Sequence, residues 1–475
     1  MNQPTVKKQT KIVATISDLH CEEEFIRELY DNGMNVVRLN TAHQTHEDSL
    51  KIIKSVRNVS EKIPLLLDTK GPEIRTTKGD EPIQLKKGNI VQVKGSPNRT
   101  STSEKLYFSY DNIVNDVPID STILIDDGDI ALKVKDKRED KLFCEVLNDG
   151  TIDGRKSVNI PGTHISLPSL TDKDRDYVMF AIENEIDFIA HSFVRNKQDL
   201  LDIQEILDKH NSSIKLIAKI ENQEGVDNID EILDHCEGIM VARGDLGIEI
   251  PAVKIPQIQK SLIKKAIAKR KIVITATQML HTMIKNPRPT RAEVSDVANA
   301  IMDGTDAVML SGETAYGKYP LEAVKTMASI AQEVETQLSG YKKAAIPEIF
   351  NTSTYLIKAA VRATLHLPIE AIVIDTIKGS TARNISSFRP KVPVYAMCFN
   401  KKVMRELGLR YGIYGHFYGE HVDNTDKFIK ETLEHLTKED SLLNKESQIV
   451  FLGGNFGSTE QPTFVEITSP KAVLE

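Results

Sequence analysis

The sequence predicts an α/β protein: a (β/α)8 TIM barrel with an inserted small all-β lid domain and a C-terminal α/β domain. Three observations predict this fold. Short apolar runs alternate with segments of helical spacing, and together they give eight strands. Between Pro72 and Pro168 this rhythm is replaced by short alternating runs with many turn residues. After about Tyr341 a further pattern of strands and helices begins.

The first part of the barrel, residues 1–72, contains runs that are apolar throughout, as expected of parallel strands covered on both faces. The predicted strands are Lys11–Ile16, Val36–Asn40 and Pro64–Thr69. Two segments with helical spacing separate these strands: Glu22–Asn32, which is capped by Gly33, and Glu47–Val59.

The lid domain is assigned to residues 73–167. Its runs alternate between apolar and polar residues, and Asp127-Gly128 and Asp149-Gly150 supply turns between them. The predicted strands are Ile83–Leu85, Ile90–Lys94, Thr122–Ile125, Ala131–Val134 and Leu142–Val146. A small domain joined through two close connections can act as a hinged lid.

The second part of the barrel, residues 168–342, restores the alternation of strands and helices. The predicted strands are Phe188–Val194, Lys215–Ile220, Gly238–Ala242, Lys271–Thr275 and Ala307–Leu310. Residues 343–475 form the predicted C-terminal regulatory domain, with a helix at Ser353–Thr364 and strands at Ala371–Asp375, Pro393–Met397 and Ile449–Leu452.

The stretch Lys215–Asp245 carries the strongest functional signal. It is a β-α-β unit whose two strands end in acids, Glu221 and Asp245, with Lys219 on the same face as Glu221. An isolated acidic pair is more often a solvated strand end, but the lysine and the Gly-Asp-Leu-Gly turn favour a site. Two carboxylates that leave room for water and substrate oxygens favour Mg²⁺ over Ca²⁺, and no His/Cys cluster supports zinc.

Further polar groups follow the other predicted strands. Arg38, Asn40, His43 and Arg75 are basic or amide groups at the ends of the second and third strands. Lone arginines are mostly partners of surface salt bridges, but Arg38 and Arg75 with Lys219 resemble the charge clamp that phosphoryl transfer needs. Asp68 and Glu73 are candidates for a second cation site, although Glu73 could simply pair with Arg75. Thr277 and Ser311 are candidates for moving a proton, and packing roles are equally compatible with single hydroxyls.

Composition excludes several classes. The chain has 475 residues and a net charge of −7, which implies no general affinity for nucleic acid or anionic membranes. No apolar run is long enough to span a bilayer, and the N-terminus lacks the apolar segment of a signal peptide. The four cysteines show no paired spacing, so we expect a reducing, cytoplasmic location.

The chain resembles the pyruvate kinase family over nearly its full length. The matching segments are KIVAT near the start, GMNVVRLN at Gly33–Asn40, LLLDTKGPEIR at Leu65–Arg75, IAKIENQEGV at Ile217–Val226, IMVARGDLGIEIP at Ile239–Pro251, TATQML at Thr275–Leu280 and the run Asn286–Pro320.

The resemblance implies transfer of the phosphoryl group of phosphoenolpyruvate to ADP, giving pyruvate and ATP in the last step of glycolysis through a Mg²⁺-bridged enolate. It implies that Glu221 and Asp245 hold Mg²⁺ (or Mn²⁺) and that Lys219 stabilises the transferring phosphoryl group. By the same resemblance, Arg38 contacts phosphate, and Gly244, Asp245 and Thr277 hold the substrate carboxylate. Thr277 and Ser311 are candidates for the proton route to the methyl carbon of pyruvate.

The resemblance also implies nucleotide contacts and a monovalent cation. The residues that match the nucleotide side are Arg75, His43, Lys156 and Asn40. Asn40, Asp68 and Thr69 match a K⁺ site in which Ala42 replaces the usual serine, while Glu73 is retained as in potassium-dependent members. The first strand turn also departs from the family, because Ser17-Asp18-Leu19-His20 replaces Gly-Pro-Ala-Ser.

The C-terminal domain carries a candidate effector loop before a helix, whose residues are Thr376, Lys378, Gly379, Ser380 and Thr381. The late loop Gly453–Pro462 lacks the Trp and Arg of relatives regulated by fructose bisphosphate, which argues for another sugar phosphate or for no effector. The family implies a homotetramer. Two other hypotheses stay open at this point: an enolate lyase or aldolase, and a catalytically silent metabolite sensor.

Overall fold

A computed structural model describes residues 8–338, 351–419, 424–439, 442–454 and 461–475. The chain begins with the first part of a barrel. Its strands and helices are β1 (Lys11–Thr15), α1 (Glu23–Asp31), β2 (Val36–Asn40), α2 (His46–Val59) and β3 (Leu65–Asp68). Thr45 caps α2 through a capping box with Asp48, which explains where this helix begins.

The inserted segment is all-β apart from one helical turn. Its strands are β4 (Ile74–Arg75), β5 (Ile83–Leu85), β6 (Ile90–Gly95), β7 (Lys105–Phe108), β8 (Thr122–Ile125), β9 (Ile130–Arg138), β10 (Lys141–Val146), β11 (Gly150–Ile152) and β12 (Ser157–Asn159), and its helix is α3 (Ile113–Asp116). They form a seven-stranded and a two-stranded sheet. The sequence analysis missed β4, β7, β11 and β12. Three of them, β4, β11 and β12, contain a single large apolar residue, which is too few to show alternation.

The second part of the barrel supplies five more parallel strands: β13 (Phe188–His191), β14 (Lys215–Ile220), β15 (Gly238–Ala242), β16 (Ile272–Ala276) and β17 (Ala307–Leu310). The surrounding helices are α4 (Asp172–Glu183), α5 (Lys197–Lys209), α6 (Gln223–Asp227), α7 (Ile229–Asp234), α8 (Arg243–Glu249), α9 (Ile255–Ala268), α10 (Arg291–Asp303), α11 (Gly312–Ala315) and α12 (Pro320–Gln337).

The eight parallel strands close into a barrel in chain order, with β17 beside β1 and the insertion between β3 and β13. The predicted (β/α)8 barrel is therefore confirmed. Its interior is filled by residues such as Val36, Phe188 and Ile217, while alternate residues pack outward against the helices. The strand predicted over Phe188–Val194 ends at His191, because Phe193 adopts a positive φ of 57°.

The C-terminal domain is a five-stranded sheet covered by helices. Its strands are β18 (Ile369–Thr376), β19 (Val394–Cys398), β20 (Ile413–Phe417), β21 (Gln448–Gly453) and β22 (Phe464–Thr468), in the order β20-β19-β18-β21-β22 with β22 antiparallel. Its helices are α13 (Thr352–His366), α14 (Ser380–Ser387), α15 (Lys401–Leu407), α16 (Thr425–Glu434) and α17 (Pro470–Leu474). β20 and β22 were not predicted, since both are partly exposed edge strands of mixed polarity.

The C-terminal domain docks on the N-terminal face of the barrel. Leu409 joins the cluster of side chains that fills the barrel interior. The Arg405 Nε donates to the buried Asp187 Oδ1 over 2.7 Å, and Arg389 Nη1 donates to Asp306 Oδ1 over 2.7 Å. Within the described ranges, no helix is long and apolar enough to cross a membrane. The domain boundaries after residues 72 and 167 stay predictions, and residues 342 and 343 lie outside the described residues.

Candidate active site

The candidate site lies at the C-terminal ends of β2, β3, β14 and β15. Because these strands are parallel and in register, with Asn40 opposite Asp68 and Lys219 opposite Met240, their last residues meet at one end of the barrel. The site opens into a cleft of about 450 Å³ that is lined by the lid residues Asp127 and Ile160 and by Asp245 of the barrel. The lid strands therefore cover the face on which the site residues end.

Lys219 is at the centre of this group. Its Nζ donates to Ser192 Oγ over 2.7 Å and pairs with Asp68 Oδ1 at 3.0 Å and with Glu221 Oε1 at 3.1 Å. Burial opposes the positive charge, but the carboxylates of Asp68 and Glu221 outweigh burial and raise the pKa of Lys219 above its ordinary value. The ammonium therefore stays charged at neutral pH in a buried position.

Glu221 is buried and Asp245 is half-buried, and the charges of these two carboxylates are only partly compensated. Glu221 Oε2 accepts the backbone N–H of Phe193 over 2.6 Å. Burial raises the pKa of Glu221 despite Lys219, and the charge of Asp245 raises it further. Burial likewise raises the pKa of Asp245. A divalent cation would relieve both effects, so the residues present fit such a metal.

Arg38 is fixed at the end of β2 by two partners. Its Nε donates to Asp68 Oδ2 over 2.6 Å, and its Nη1 donates to Thr15 Oγ1 over 2.9 Å. Burial disfavours the Asp68 carboxylate, but Arg38 and Lys219 outweigh burial and lower its pKa. Asp68 therefore holds two of the three cations of the predicted clamp, Arg38 on one oxygen and Lys219 on the other.

Thr277 lies against the turn after β15. Its Oγ1 accepts the backbone N–H of Gly244 over 2.7 Å and donates to the carbonyl of Ala276. Thr277 and Gln278 have positive φ angles of 66° and 54°, a costly conformation for residues with side chains. Arg243 stabilises this turn, because its Nη2 donates to the carbonyl of Thr277 over 2.7 Å.

Ser311 follows β17. Its backbone N–H donates to the buried Glu313 over 2.8 Å, and Glu313 also accepts the N–H of Leu280. These two bonds connect the end of β17 to the segment that follows β16, where Thr277 lies.

The residues predicted to hold K⁺ lie on neighbouring strand ends. Asn40 Oδ1 accepts the N–H of Ala42 over 3.2 Å, and the carbonyl of Thr69 accepts the Ser192 hydroxyl over 2.6 Å. Asn40, Asp68 and Thr69 thus offer oxygen atoms of the kind K⁺ binds, and Ala42 contributes no side-chain oxygen. The set fits a monovalent cation with one side-chain ligand fewer.

The predicted nucleotide residues have partners of their own. Arg75 pairs with Glu73 at 2.8 Å, the alternative that the sequence left open. Lys156 pairs with Asp126 inside the lid at 2.7 Å, and the His43 side chain is exposed. Arg195, which follows β13, forms a salt bridge with Asp199 and donates a hydrogen bond to the carbonyl of Ile165. It therefore does not join the cluster around Lys219.

The candidate effector loop lies at the opposite end of the barrel. Gly379 precedes α14 with a positive φ of 79°, while Thr376 and Thr381 are buried. Lys378 and Gly379 border a small cavity together with Lys215 of the barrel. Of the late loop Gly453–Pro462, residues 455–460 lie outside the described residues.

Sequence reasoning missed Thr15 and His191, and it named Ser192 and Arg243 only as polar strand ends without a role. Thr15 and Ser192 contact Arg38 and Lys219 only because distant strands become neighbours. The polar residues at the ends of the predicted strands were the signal for Ser192 and Arg243, and no such signal marks Thr15 or His191. Throughout the described ranges, no three His, Cys, Asp or Glu side chains gather as metal ligands, so the candidate metal site has two carboxylates, Glu221 and Asp245.

Comparison with known proteins now decides the family. The family model described as "Pyruvate kinase, barrel domain" matches residues 7–324, and "Pyruvate kinase, alpha/beta domain" matches residues 355–465. The chain belongs to the pyruvate kinase family. It is a phosphotransferase, and like other pyruvate kinases it uses a divalent metal ion.

Individual pyruvate kinases agree with this assignment. The chain is 49% identical over 453 residues to the pyruvate kinase of Borreliella burgdorferi, covering 95% of this chain and 94% of that one. It is 47% identical over 438 residues to the pyruvate kinase of Bacillus licheniformis, covering 90% and 74%. The crystal structure of a pyruvate kinase from Cryptosporidium parvum superposes with a TM-score of 0.92 at 37% identity, covering 98% and 96%.

Proposed function

We propose that the chain transfers the phosphoryl group of phosphoenolpyruvate to ADP, with Lys219 as the group that compensates the charge of the reaction. The observation that carries this proposal is the fixed position of the Lys219 ammonium between Asp68, Glu221 and Ser192. A buried, preorganised cation stabilises charge that develops on a transferring phosphoryl group and on the enolate oxygen.

Mg²⁺, or Mn²⁺, is the proposed divalent ion, and Glu221 and Asp245 are its proposed ligands. Hard oxygen ligands suit Mg²⁺, and two carboxylates leave coordination positions for water and substrate. When bound, the ion supplies positive charge against the phosphoryl and enolate oxygens. Arg38 is proposed to bind the phosphate, since its guanidinium lies in the same group at the barrel end.

The substrate carboxylate is proposed to lie at the turn formed by Gly244, Asp245 and Thr277. Support comes from the Gly244–Thr277 hydrogen bond, which brings these three residues together. Thr277 and Ser311 are proposed to hold the proton that reaches the methyl carbon of pyruvate. Arg75, His43, Lys156 and Asn40 are proposed to face the nucleotide when the lid closes over the cleft.

K⁺ is proposed to activate the enzyme through Asn40, Asp68 and Thr69, next to Arg38 and Lys219. A homotetramer and a cytoplasmic location are proposed from the family alone. Binding of a sugar phosphate at the loop Thr376–Thr381 is also a proposal, supported by the left-handed Gly379 before α14.

Pyruvate formation from phosphoenolpyruvate and ADP tests the proposal. We expect turnover that requires both ADP and Mg²⁺ and that rises when KCl replaces tetramethylammonium chloride. Pyruvate release without ADP would support a lyase instead, and no turnover under any condition would contradict the proposal. Full activity in K⁺-free buffer would overturn only the role of K⁺.

A further inference from the structure

His191 is a fully buried imidazole at the end of β13. It follows Ile189 by two residues, so both side chains point outward from the barrel into the layer packed by helices. Burial lowers the pKa of His191 to about 4, so the ring is neutral at neutral pH. The proposed mechanism uses none of its atoms.

The two ring nitrogens of His191 differ. Nδ1 lies 3.3 Å from Thr69 Oγ1, while Nε2 is buried and has no hydrogen-bond partner among the described residues. Burying a ring nitrogen without a partner costs free energy that an apolar residue would not cost. A histidine at this position is therefore costly, and its one polar contact, from Nδ1 to Thr69, is the interaction that can offset the cost.

Two buried carboxylates lie near the ring, Asp174 and Asp199, but both are hydrogen-bonded to other groups. Asp174 accepts hydrogen bonds from Thr171 and from the backbone N–H groups of Lys70 and Gly71. Asp199 is engaged by the guanidinium of Arg195. Both acids therefore have donors of their own, and the ring of His191 is left with Thr69.

Thr69 connects His191 to the catalytic lysine through Ser192. The backbone N–H of Ser192 donates to Thr69 Oγ1 over 3.0 Å, and the Ser192 hydroxyl donates to the Thr69 carbonyl over 2.6 Å. The Ser192 oxygen then accepts from Lys219 Nζ over 2.7 Å. Thr69 Oγ1 accepts from Ser192 and still carries its own hydrogen, and if it donates that hydrogen to His191 Nδ1, the ring proton is on Nε2.

We propose that His191 is a positioning residue for phosphoryl transfer: its Nδ1 takes the hydroxyl hydrogen of Thr69 and thereby fixes the hydrogen-bonded sequence Thr69–Ser192–Lys219. The inference rests on the proposed function of Lys219. It extends the site from the strand ends into the helix-packed layer behind them. Without His191, the Thr69 hydroxyl loses its acceptor, and the Ser192 oxygen is held less firmly against Lys219.

Three variants of the full chain test this role. His191→Ala removes the acceptor, His191→Asn keeps an acceptor oxygen near the place of Nδ1, and Ile189→Val changes packing on the same face of the same strand. We expect kcat to fall roughly tenfold in His191→Ala, because small misplacements of a catalytic group are costly. We expect KM for both substrates to be unchanged, His191→Asn to recover most of kcat, and Ile189→Val to keep wild-type kcat.

A second measurement does not depend on activity. Selective ¹⁵N-histidine labelling, with His191→Asn to assign the resonances, reports which nitrogen carries the proton. We expect the Nε2–H form of His191 in the wild-type chain.

The proposal is overturned by a proton on Nδ1, by wild-type kcat in His191→Ala, or by an equal loss in His191→Asn and His191→Ala. A wild-type chain without turnover would instead contradict the proposed function, and the NMR result would still decide the hydrogen-bond direction.

Discussion

The two ends of the barrel both bury charged side chains, but they balance them differently. At the N-terminal face, Asp187 accepts from Arg405, Arg57 and the N–H of Leu65. Asp306 is held in the same way by two nitrogens of Arg389 and by the N–H groups of Tyr411 and Val273. Each of these acids has a cation of its own.

At the C-terminal face the acids share their cations. Lys219 serves both Asp68 and Glu221, and burial raises the pKa of Glu221 and Asp245. A balanced set of buried pairs fixes one domain on another, whereas a set with excess negative charge is suited to binding a cation. The barrel thus uses one end for assembly and the other for chemistry.

Replacing the shared cation should give the largest effect. We expect Lys219→Met to lower kcat at least about a thousandfold, since it removes a preorganised charge from the transition state. Mn²⁺ binding, followed by electron paramagnetic resonance, should persist because Glu221 and Asp245 remain. Lys265→Met removes an exposed pair with Asp230 and is the control. An unchanged kcat in Lys219→Met would refute its role.

Breaking a balanced pair at the other end should affect stability rather than chemistry. We expect Arg405→Leu to destabilise the chain by about 3 kcal/mol, because Asp187 stays buried with a cation missing. The unfolding midpoint in urea measures this, and kcat of the folded fraction should not change. Lys401→Leu, which removes an exposed pair with Glu61 from the same helix, should cost less than about 1 kcal/mol. Equal losses in both variants would contradict the comparison.

The stabilisation of the folded chain by Mg²⁺ should depend on pH, because the negative charge at the C-terminal face changes with protonation of Glu221. Burial raises the pKa of Glu221 from 4.5 to about 7, so without metal the folded chain holds a proton that the unfolded chain has lost. Stability of the metal-free chain should therefore fall as pH rises through this window. The rise in melting temperature on adding Mg²⁺ should grow from pH 5 to pH 8 and stay nearly flat in Glu221→Gln. If the increase in melting temperature caused by Mg²⁺ became smaller from pH 5 to pH 8, the prediction would be wrong.

The smallest expected effect concerns the proposed monovalent site. Ala42→Ser restores the hydroxyl typical of the family, and we expect a several-fold lower K⁺ concentration for half-maximal activation at unchanged maximal rate. Activity against KCl, with tetramethylammonium chloride holding ionic strength constant, measures this. Ser329→Ala, on the exposed surface of α12, serves as the control. Weaker activation by K⁺ in Ala42→Ser would contradict the proposed ligand set.

Local patterns predicted much of the barrel and the centre of its site. The strand bounds of Val36–Asn40 and Lys215–Ile220 agree with the sequence analysis, since apolar runs that end in charged residues are local signals. Glu221 and Lys219 were found for the same reason. Short lid strands such as Ser157–Asn159 were missed, because a strand with one apolar residue is formed by its neighbours rather than by its own pattern.

The sequence by itself determined the barrel, the acids and lysine at its strand ends, and the family resemblance, because each depends on residues close in the chain. Only the tertiary structure decided how the charges are shared. Asp68 meets Lys219, Thr69 meets His191, and Asp187 meets Arg405 across more than a hundred residues of chain. Such pairings depend on strand register and domain docking, which no local pattern encodes. The excess of negative charge that suits one end of the barrel to the proposed metal ion arises from those pairings.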